Sequence, residues 1–231
     1  MADFRFKQFS IKQDNCAMKV GTDGVLLGAW CNHPSPRNIL DIGSGTGLIA
    51  LMCAQRFPEA LITAIEPDEL AFLQALHNVN NSIFNQKITL TNTTLQQFTP
   101  ASLFDLMVCN PPFYTEDTQA KGTRRQLARH ASNLPLNTIL AFATQHLTKD
   151  GSLCLILPYK TLEVLETNNH LNIQEVVLVK GTEQAPVKRV MVRLGKQIQV
   201  KTVPDTLVIE EKRHEYTNAY RALTKDFYLK F

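Results

Sequence analysis

The chain lacks the features that mark several large classes of protein. Its 231 residues contain no run of eighteen apolar residues, and no basic start followed by an apolar stretch and small residues. We therefore expect neither a membrane-spanning protein nor one exported by a signal peptide. The phosphate-loop pattern G-x-x-x-x-G-K-[ST] is also missing, so the sequence does not indicate that type of nucleotide site.

Cysteine is scarce and scattered. None of the five cysteines belongs to a C-x-x-C pair, and three of them fall in predicted core elements. They occupy positions 16, 31, 53, 109 and 154. This pattern predicts reduced thiols in a cytoplasmic protein, without a disulfide framework and without a zinc or other metal site.

Charge of either sign is also modest. Charged residues make up 19% of the chain and hydrophobic residues 44%, which is ordinary for a globular enzyme. The net charge of +3 is uneven, because residues 180–231 carry eleven Lys and Arg against six Asp and Glu. A basic C-terminal part beside a nearly neutral remainder favours a polyanionic partner, although such a cluster also suits a solvated surface.

The apolar segments alternate between strand and helix patterns. Strands are predicted at 38–42, 61–66, 87–91, 103–109 and 151–157, with helices near 46–56, 67–81, 135–148 and 159–168. This alternation predicts a doubly wound parallel sheet. Two later strands, 173–179 and 187–194, are predicted to close it as an antiparallel hairpin, with 198–203 and 206–209 extending it further. The expected fold class is therefore α/β and Rossmann-like, with a seven-stranded, mostly parallel sheet.

We expect one domain over the whole chain, since 231 residues suit a single α/β domain with small additions. Its core is predicted over 38–195. An N-terminal extension (1–37) is predicted to contribute to the ligand pocket, and a C-terminal extension covers 196–231.

A glycine-rich turn follows the first predicted strand of the core. Asp41-Ile42 leads into Gly43-Ser44-Gly45-Thr46-Gly47 and then a helix pattern, which is the order of a nucleotide-binding βα unit. The spacing differs from the G-x-G-x-x-G of dinucleotide binders. Glu66 ends the next strand, where a carboxylate can accept both hydroxyls of a ribose. These features favour S-adenosylmethionine, whose amino-acid end carries no phosphate; an NAD site and a purely structural turn are the alternatives.

A second motif, Asn110-Pro111-Pro112-Phe113, follows the predicted strand 103–109. Neither proline has an N–H, and each fixes its own φ, so the backbone carbonyls can be held outward as acceptors. The Asn110 side-chain oxygen adds another acceptor. Two acceptors beside an aromatic ring suit a flat substrate with an amino group, such as adenine. The alternative is a loop that contains two prolines.

Four stretches together resemble the bacterial valine-tRNA adenine-N6 methyltransferases, which modify the adenine beside the anticodon. They are 18–30, 41–47, 110–113 and the tail 223–231. The resemblance covers essentially the whole chain, and the first and last stretches are narrower in distribution than the two motifs. It implies a class I methyltransferase fold, S-adenosylmethionine as cofactor, tRNA as partner, and adenine 37 of tRNA1(Val) as target.

The resemblance also implies roles for particular residues. The Asn110 side chain and the Pro111 carbonyl would bind the amino group of the base, and Phe113 would stack on it. The implied cofactor-binding residues are Thr22, Asp41, Gly43, Gly45, Gly47, Glu66, Thr94, Leu95 and Asn110.

The sequence departs from the family pattern at two of these positions. Phe113 stands where the tetrad usually ends in tyrosine, and its ring still suits stacking. Thr94 stands where an acid commonly reaches the cofactor's adenine amine. A backbone group or packing by Leu95 would have to serve at that place.

Thr22 or Asp23 is predicted to cap the helix that begins there, and both residues are candidates to line the methionine end of the cofactor.

Basic residues after the second motif are candidates for tRNA contacts. Arg124, Arg125, Arg129 and His130 lie in a segment rich in Thr, Gln and Gly, beside the predicted pocket. We interpret the arginines as phosphate contacts, with a mobile solvated loop as the alternative. Lys188 and Arg189, on the predicted hairpin, are weaker candidates for the same role.

Other functions fit parts of the pattern. A glutamine-N5 methyltransferase acting on a release factor or ribosomal protein also needs a clamp for a planar amide. Such enzymes usually carry a helical domain before the glycine motif, whereas only 40 residues precede Asp41. A DNA adenine methyltransferase would need a target-recognition region, for which little chain remains. An rRNA target stays open, and a non-catalytic binding module would not need both motifs in this order.

Overall fold

The computed structural model describes residues 3–14, 19–112, 134–168, 170–198 and 203–230. Within them, two short antiparallel pairs of strands accompany one large sheet of eight strands. The strands are β1 (Phe4–Arg5), β2 (Ser10–Ile11), β3 (Asn38–Ile42), β4 (Leu61–Ile65), β5 (Ile88–Thr91), β6 (Phe104–Cys109), β7 (Leu147–Pro158), β8 (Asn172–Lys180), β9 (Val187–Gly195), β10 (Asp205–Val208), β11 (Glu210–Lys212) and β12 (Glu215–Tyr216).

Helices connect the strands of the large sheet. They are α1 (Thr22–Trp30), α2 (Leu48–Arg56), α3 (Glu69–Asn80), α4 (Leu136–His146), α5 (Leu162–Glu166) and α6 (Asn218–Thr224), with a 3₁₀ turn at Tyr159–Thr161. In the part of the chain that the structure describes, no helix is long and apolar enough to cross a membrane.

The large sheet has the order β10-β8-β9-β7-β6-β3-β4-β5. Strand β9 runs antiparallel to both of its neighbours, and the other pairs are parallel. The predicted α/β class, the mostly parallel sheet and the terminal hairpin are thus confirmed. The count of seven strands is one too low, because β10 adds to the edge with Asp205 opposite Val177. Residues 199–202, in the predicted strand 198–203, lie outside the described residues.

The central strands are apolar because both faces of the sheet are covered. Ile39, Leu40 and Ile42 of β3 are at most 1% exposed, as expected for parallel strands between two helical layers. One hydrophobic cluster includes residues of α1 and α2, and the other includes residues of α4. Helix α1 approaches α2 closely at Gly28, where an added Cβ would lie 2.6 Å from the Met52 sulfur.

The N-terminal and C-terminal extensions pack against each other. Phe6 forms an antiparallel bridge with Tyr228, and the Lys7 N–H donates to the Phe227 carbonyl at 2.8 Å. The rings of Phe6 and Phe9 stack with their centroids 4.8 Å apart. These contacts tie both ends of the chain to the hydrophobic cluster that holds α1 and α2.

The predicted capping of α1 by Thr22 or Asp23 is wrong. Gly21 is the N-cap, with extended backbone angles and no side-chain cap, and Thr22 already lies in the helix. The Asp23 carboxylate instead accepts a hydrogen bond from Arg189 Nε at 2.8 Å. The Asp23 carboxylate therefore forms a long-range ion pair, whereas the sequence pattern predicted that it would cap the helix locally.

The cysteines of the described residues are free and buried. Cys31 follows α1 and Cys53 lies in α2, with their sulfur atoms 3.9 Å apart. Burial raises the pKa of Cys109 and of Cys154, which keeps these thiols protonated and unreactive.

Candidate active site

Three neighbouring strands place the two sequence motifs side by side. Strand β3 lies between β4 and β6, and Ile42 pairs with both Ile65 and Cys109. The residues that follow these three strands therefore leave the sheet together at its carboxyl edge. The chain order reverses at β3, and in open α/β sheets ligands bind at such a switch point.

The glycine-rich turn is fastened to the end of β4 through its backbone. Gly43, Gly45 and Gly47 have φ values of +72°, +56° and +80°, in the left-handed region that favours glycine. The N–H groups of Gly43 and Ser44 both donate to the Ile65 carbonyl, at 2.9 and 3.0 Å. These two hydrogen bonds fix the conformation of the turn and leave Gly43 exposed.

Two of the three glycines border open space. An added Cβ at Gly43 or Gly45 would meet no atom within 4 Å, whereas one at Gly47 would lie 3.4 Å from Ala75 Cβ in α3. Gly47 is thus favoured by its backbone conformation, since the contact with Ala75 is an ordinary van der Waals distance. Gly43 and Gly45 leave room for a ligand against the turn.

Asp41 is a fully buried carboxylate with one oxygen unused. Its Oδ2 accepts from the Ala50 N–H at 2.9 Å, while Oδ1 has no partner among the described residues. Burial, with the nearby Glu66 charge as a smaller cause, raises the Asp41 pKa to about 7. A buried polar atom without a partner requires an explanation, and a bound ligand is one.

Glu66 is 7% exposed and joins the turn to the start of α3. Its Oε2 accepts from the Gly45 N–H at 2.8 Å and its Oε1 from the Asp68 N–H at 2.9 Å. Burial raises the pKa of this carboxyl as well. Since each carboxylate oxygen has two acceptor sites, each retains one for hydroxyl groups of a ligand.

The second motif begins at the end of β6, next to the glycine turn. Asn110 is half-buried, Pro111 is buried and Pro112 is half-buried. Asn110 directly follows Cys109, whose register partner on β3 is Ile42. The sequence-predicted residues Phe113, Arg124, Arg125, Arg129 and His130 lie outside the described residues.

Thr94 and Leu95 lie in the turn after β5, the strand beyond β4. The Thr94 hydroxyl is 3.1 Å from Gln97 Oε1, and the Thr94 carbonyl accepts from the Phe98 N–H at 3.0 Å. Leu95 is 4% exposed and belongs to the cluster that contains Ile42. The role predicted for Leu95, packing at the adenine end of the pocket, remains a prediction.

Other predicted residues lie at the same edge on the far side of β6. Thr22 is exposed at the start of α1, and the Asp23–Arg189 ion pair bridges α1 to β9. Arg189 pairs in register with Pro158, the last residue of β7. Arg189 is thus already engaged, whereas Lys188 is exposed.

Sequence reasoning missed Asn78, a buried residue of α3. Its Nδ2 donates to the carbonyls of Thr46 and Lys12, both at 2.9 Å, and its Oδ1 accepts from the Lys12 N–H at 2.9 Å. This amide fixes the glycine turn to the N-terminal extension. The sequence feature that could have indicated this role is the pair Gln74 and Asn78, two amides four residues apart on the buried face of a helix.

Metal-binding side chains do not converge at this edge. Across the residues that the structure describes, no group of three or more His, Cys, Asp and Glu could hold a metal ion. The site instead offers carboxylate, amide and carbonyl oxygens beside a glycine turn, which suits an organic ligand with hydroxyl and amino groups.

Comparison with known proteins identifies the family. Residues 20–177 match the model of the methyltransferase small domain. Curated relatives named tRNA1(Val) (adenine(37)-N6)-methyltransferase include one from Christiangramia forsetii, 43% identical over 98% of both chains, and one from Flavobacterium psychrophilum, 45% identical over 98% of this chain and 99% of the relative. A third, from Haemophilus influenzae, is 43% identical over the full length of both.

The chain belongs to the tRNA1(Val) (adenine(37)-N6)-methyltransferase family. The resemblance stated from the four sequence stretches is thereby confirmed.

Solved structures agree with this family at the level of the fold. A predicted O-methyltransferase from Agrobacterium tumefaciens has a TM-score of 0.68 at 16% identity, covering 89% of this chain and 96% of that one. A precorrin-6y C5,15-methyltransferase from Geobacter metallireducens has a TM-score of 0.54 at 16% identity, covering 82% of this chain and 94% of that one. The Rossmann-like fold is therefore that of a class I methyltransferase.

The raised pKa of Asp41 predicts a particular pH dependence of stability. The folded ligand-free protein holds the Asp41 proton up to about pH 7, whereas the unfolded chain loses it near pH 4. The folded state thus binds more protons between these values, and Asp41 lowers the free energy of unfolding as the pH rises through that window.

We expect the Asp41→Asn variant to lack this contribution. Urea denaturation of both proteins from pH 4 to 8 would measure it. The stability of the wild type relative to the variant should fall as the pH rises to about 7 and then level off. A difference that stays constant over the whole range would mean that Asp41 titrates normally.

Proposed function

We propose that the protein transfers a methyl group from S-adenosylmethionine to N6 of an adenine in tRNA, with adenine 37 of tRNA1(Val) as the target. The products are N6-methyladenosine and S-adenosylhomocysteine. The observation that carries the proposal is that two groups of residues, called half-sites below, lie side by side at the carboxyl ends of neighbouring strands. Asp41, Glu66 and the glycine turn lie at the ends of β3 and β4, and Asn110 follows β6 beside them.

The first half-site fits the cofactor. The orphaned Oδ1 of Asp41 and the open space at Gly43 and Gly45 lie together at the turn. A carboxylate there suits the cationic amino-acid end of S-adenosylmethionine, and the remaining acceptor sites of Glu66 suit the two ribose hydroxyls. Thr22 and Asn110 are proposed to complete the amino-acid end, and Thr94 and Leu95 the adenine end.

The second half-site fits the acceptor. The N6 lone pair of adenine is delocalised into the ring, so the amino group is a weak nucleophile. The Asn110 side-chain oxygen and the Pro111 carbonyl would accept its two hydrogens, favour a pyramidal nitrogen and aim the lone pair.

Bound S-adenosylmethionine supplies the activated methyl group. Asn110 and Pro111 contribute alignment and stabilise the positive charge that develops on N6, so no strong general base is required. As the methyl group bonds to N6 and its bond to sulfur breaks, N6 becomes cationic and one of its hydrogens becomes acidic; this proton would leave to solvent. Phe113, outside the described residues, is proposed to stack on the base.

The remaining proposals concern tRNA. Arg124, Arg125 and Arg129, which lie outside the described residues, are proposed to bind phosphates, with help from Lys188 and the basic C-terminal part. Arg189 already donates from Nε to Asp23 and from Nη1 to the Lys188 carbonyl, so its proposed phosphate contact would use the remaining N–H groups. We expect the protein to act in the cytoplasm.

Methyl transfer assays test the substrate class directly. Purified protein is incubated with labelled S-adenosylmethionine and unmodified tRNA, or with a protein extract of the same cells. We expect label in tRNA alone, recovered as N6-methyladenosine after digestion to nucleosides. Label in a protein, on glutamine, would support the glutamine-N5 alternative, and label in ribosomal RNA alone would exclude a tRNA target.

The acceptor half-site predicts a selective effect of Asn110→Ala. Loss of one oriented acceptor should lower the turnover number about 10²–10³-fold, by analogy with oxyanion-hole donors. Cofactor affinity, measured by calorimetry, should change far less. Asn85→Ala is the matched control, because Asn85 is exposed in the turn before β5, at the opposite edge of the sheet. Near-normal turnover of Asn110→Ala would contradict the alignment mechanism.

A further inference from the structure

An aromatic side chain stands exposed at the end of β7. Tyr159 follows Pro158 directly, begins the short 3₁₀ turn and is 44% exposed. Its hydroxyl has no hydrogen-bond partner among the described residues. A partly exposed aromatic ring can stack on a ligand.

This ring lies at the same edge as the proposed acceptor half-site. Strand β7 neighbours β6, and Leu155 pairs with Cys109. Asn110 is one residue beyond that pair and Tyr159 is four residues beyond it. With neighbouring strands about 4.8 Å apart and a rise of about 3.3 Å per residue, extended backbone would place the two Cα atoms roughly 11 Å apart.

Two cationic side chains lie near Tyr159, and Glu163 in the first turn of α5 is an exposed carboxylate close by. Lys160 and Lys188 are exposed, and neither ammonium group has a carboxylate partner within the described ranges. The nearby Asp23 is neutralised by Arg189 at 2.8 Å. Lys160 is the next residue in the chain, and Lys188 adjoins Arg189, the register partner of Pro158. An exposed aromatic ring with cations nearby matches the pattern by which proteins bind single-stranded nucleic acid.

We propose that Tyr159 stacks on a base adjacent to the target adenine, with Lys160 and Lys188 binding the phosphates on either side. This inference rests on the proposed function, since it needs an RNA substrate. It assigns the end of β7 to the flanking nucleotide and the end of β6 to the methylated one. Because stacking tolerates any base, Tyr159 contributes affinity and position without reading the sequence.

Steady-state kinetics with unmodified tRNA separates this role from a structural one. Tyr159→Ala should raise KM for tRNA about 5- to 160-fold, the range that loss of one stacked base implies. KM for S-adenosylmethionine and kcat at saturating tRNA should stay close to wild type. Tyr159→Phe, which keeps the ring, should restore KM. The matched control is Leu61→Ala, because Leu61 is 62% exposed at the opposite edge.

The lysines are tested by salt dependence. Lys160→Gln should reduce the slope of log affinity against log salt by about 0.7, the value for one phosphate contact on a single strand. Lys149→Gln is the matched control, because Lys149 is exposed near the other end of the same strand. An unchanged slope for Lys160→Gln would remove this lysine from the interface.

The outcomes distinguish a failure of the stacking role from a failure of the proposed tRNA methylation. If wild-type protein methylates tRNA and Tyr159→Ala has the same KM, the stacking role is refuted while the function stands. If Tyr159→Phe is as impaired as Tyr159→Ala, the hydroxyl rather than the ring makes the contact, and stacking is again refuted. If wild-type protein transfers no methyl group to any tRNA, the function fails and the inference fails with it.

Discussion

Two buried carboxylates that bond only to backbone N–H groups hold the site together. Asp41 binds the Ala50 N–H at the start of α2, and Glu66 binds those of Gly45 and Asp68. Each bond joins a strand end to the turn or helix beside it, so the carboxylates fix the glycine turn against β4. Burial raises the pKa of both groups because it disfavours their charged forms. A cation bound near them would stabilise those charged forms and lower both pKa values.

The parallel sheet then brings the proposed acceptor half-site next to the proposed cofactor half-site. Strands β3 and β6 are sequence-distant but adjacent, and their register sets Asn110 beside the turn. The two central strands are buried on both faces, so a slip in register would expose apolar side chains. The packing that stabilises the fold therefore also sets the distance between cofactor and substrate.

Much of this arrangement could be predicted from the sequence because its signals are local. The apolar runs around 38–42 and 103–109 and the Gly43–Gly47 turn carry their own conformational requirements, and the structure confirms these elements. The predictions that were wrong concern residues whose partners are distant in the sequence. Asp23 resembles a helix cap until β9 brings Arg189 beside it.

Other features were missed for the same reason. The sequence predicts the strand at 206–209 that the structure shows as β10, but the parallel pairing of β10 with β8 was not predicted, because no local pattern encodes a distant partner. Asn78 shows its role only once Lys12 and Thr46 converge on it.

The central claim is that Asp41 binds the cationic end of the cofactor, and carboxyl-carbon NMR measures the Asp41 pKa with and without that ligand directly. Titration of protein with labelled aspartate should show one group with a pKa near 7 in the free protein. The Asp41→Asn variant would identify that group. Adding S-adenosylhomocysteine, which carries the same cationic amino-acid end, should lower its pKa. If the Asp41 pKa does not fall when the ligand binds, the assignment of Asp41 to the cationic end of the cofactor is contradicted.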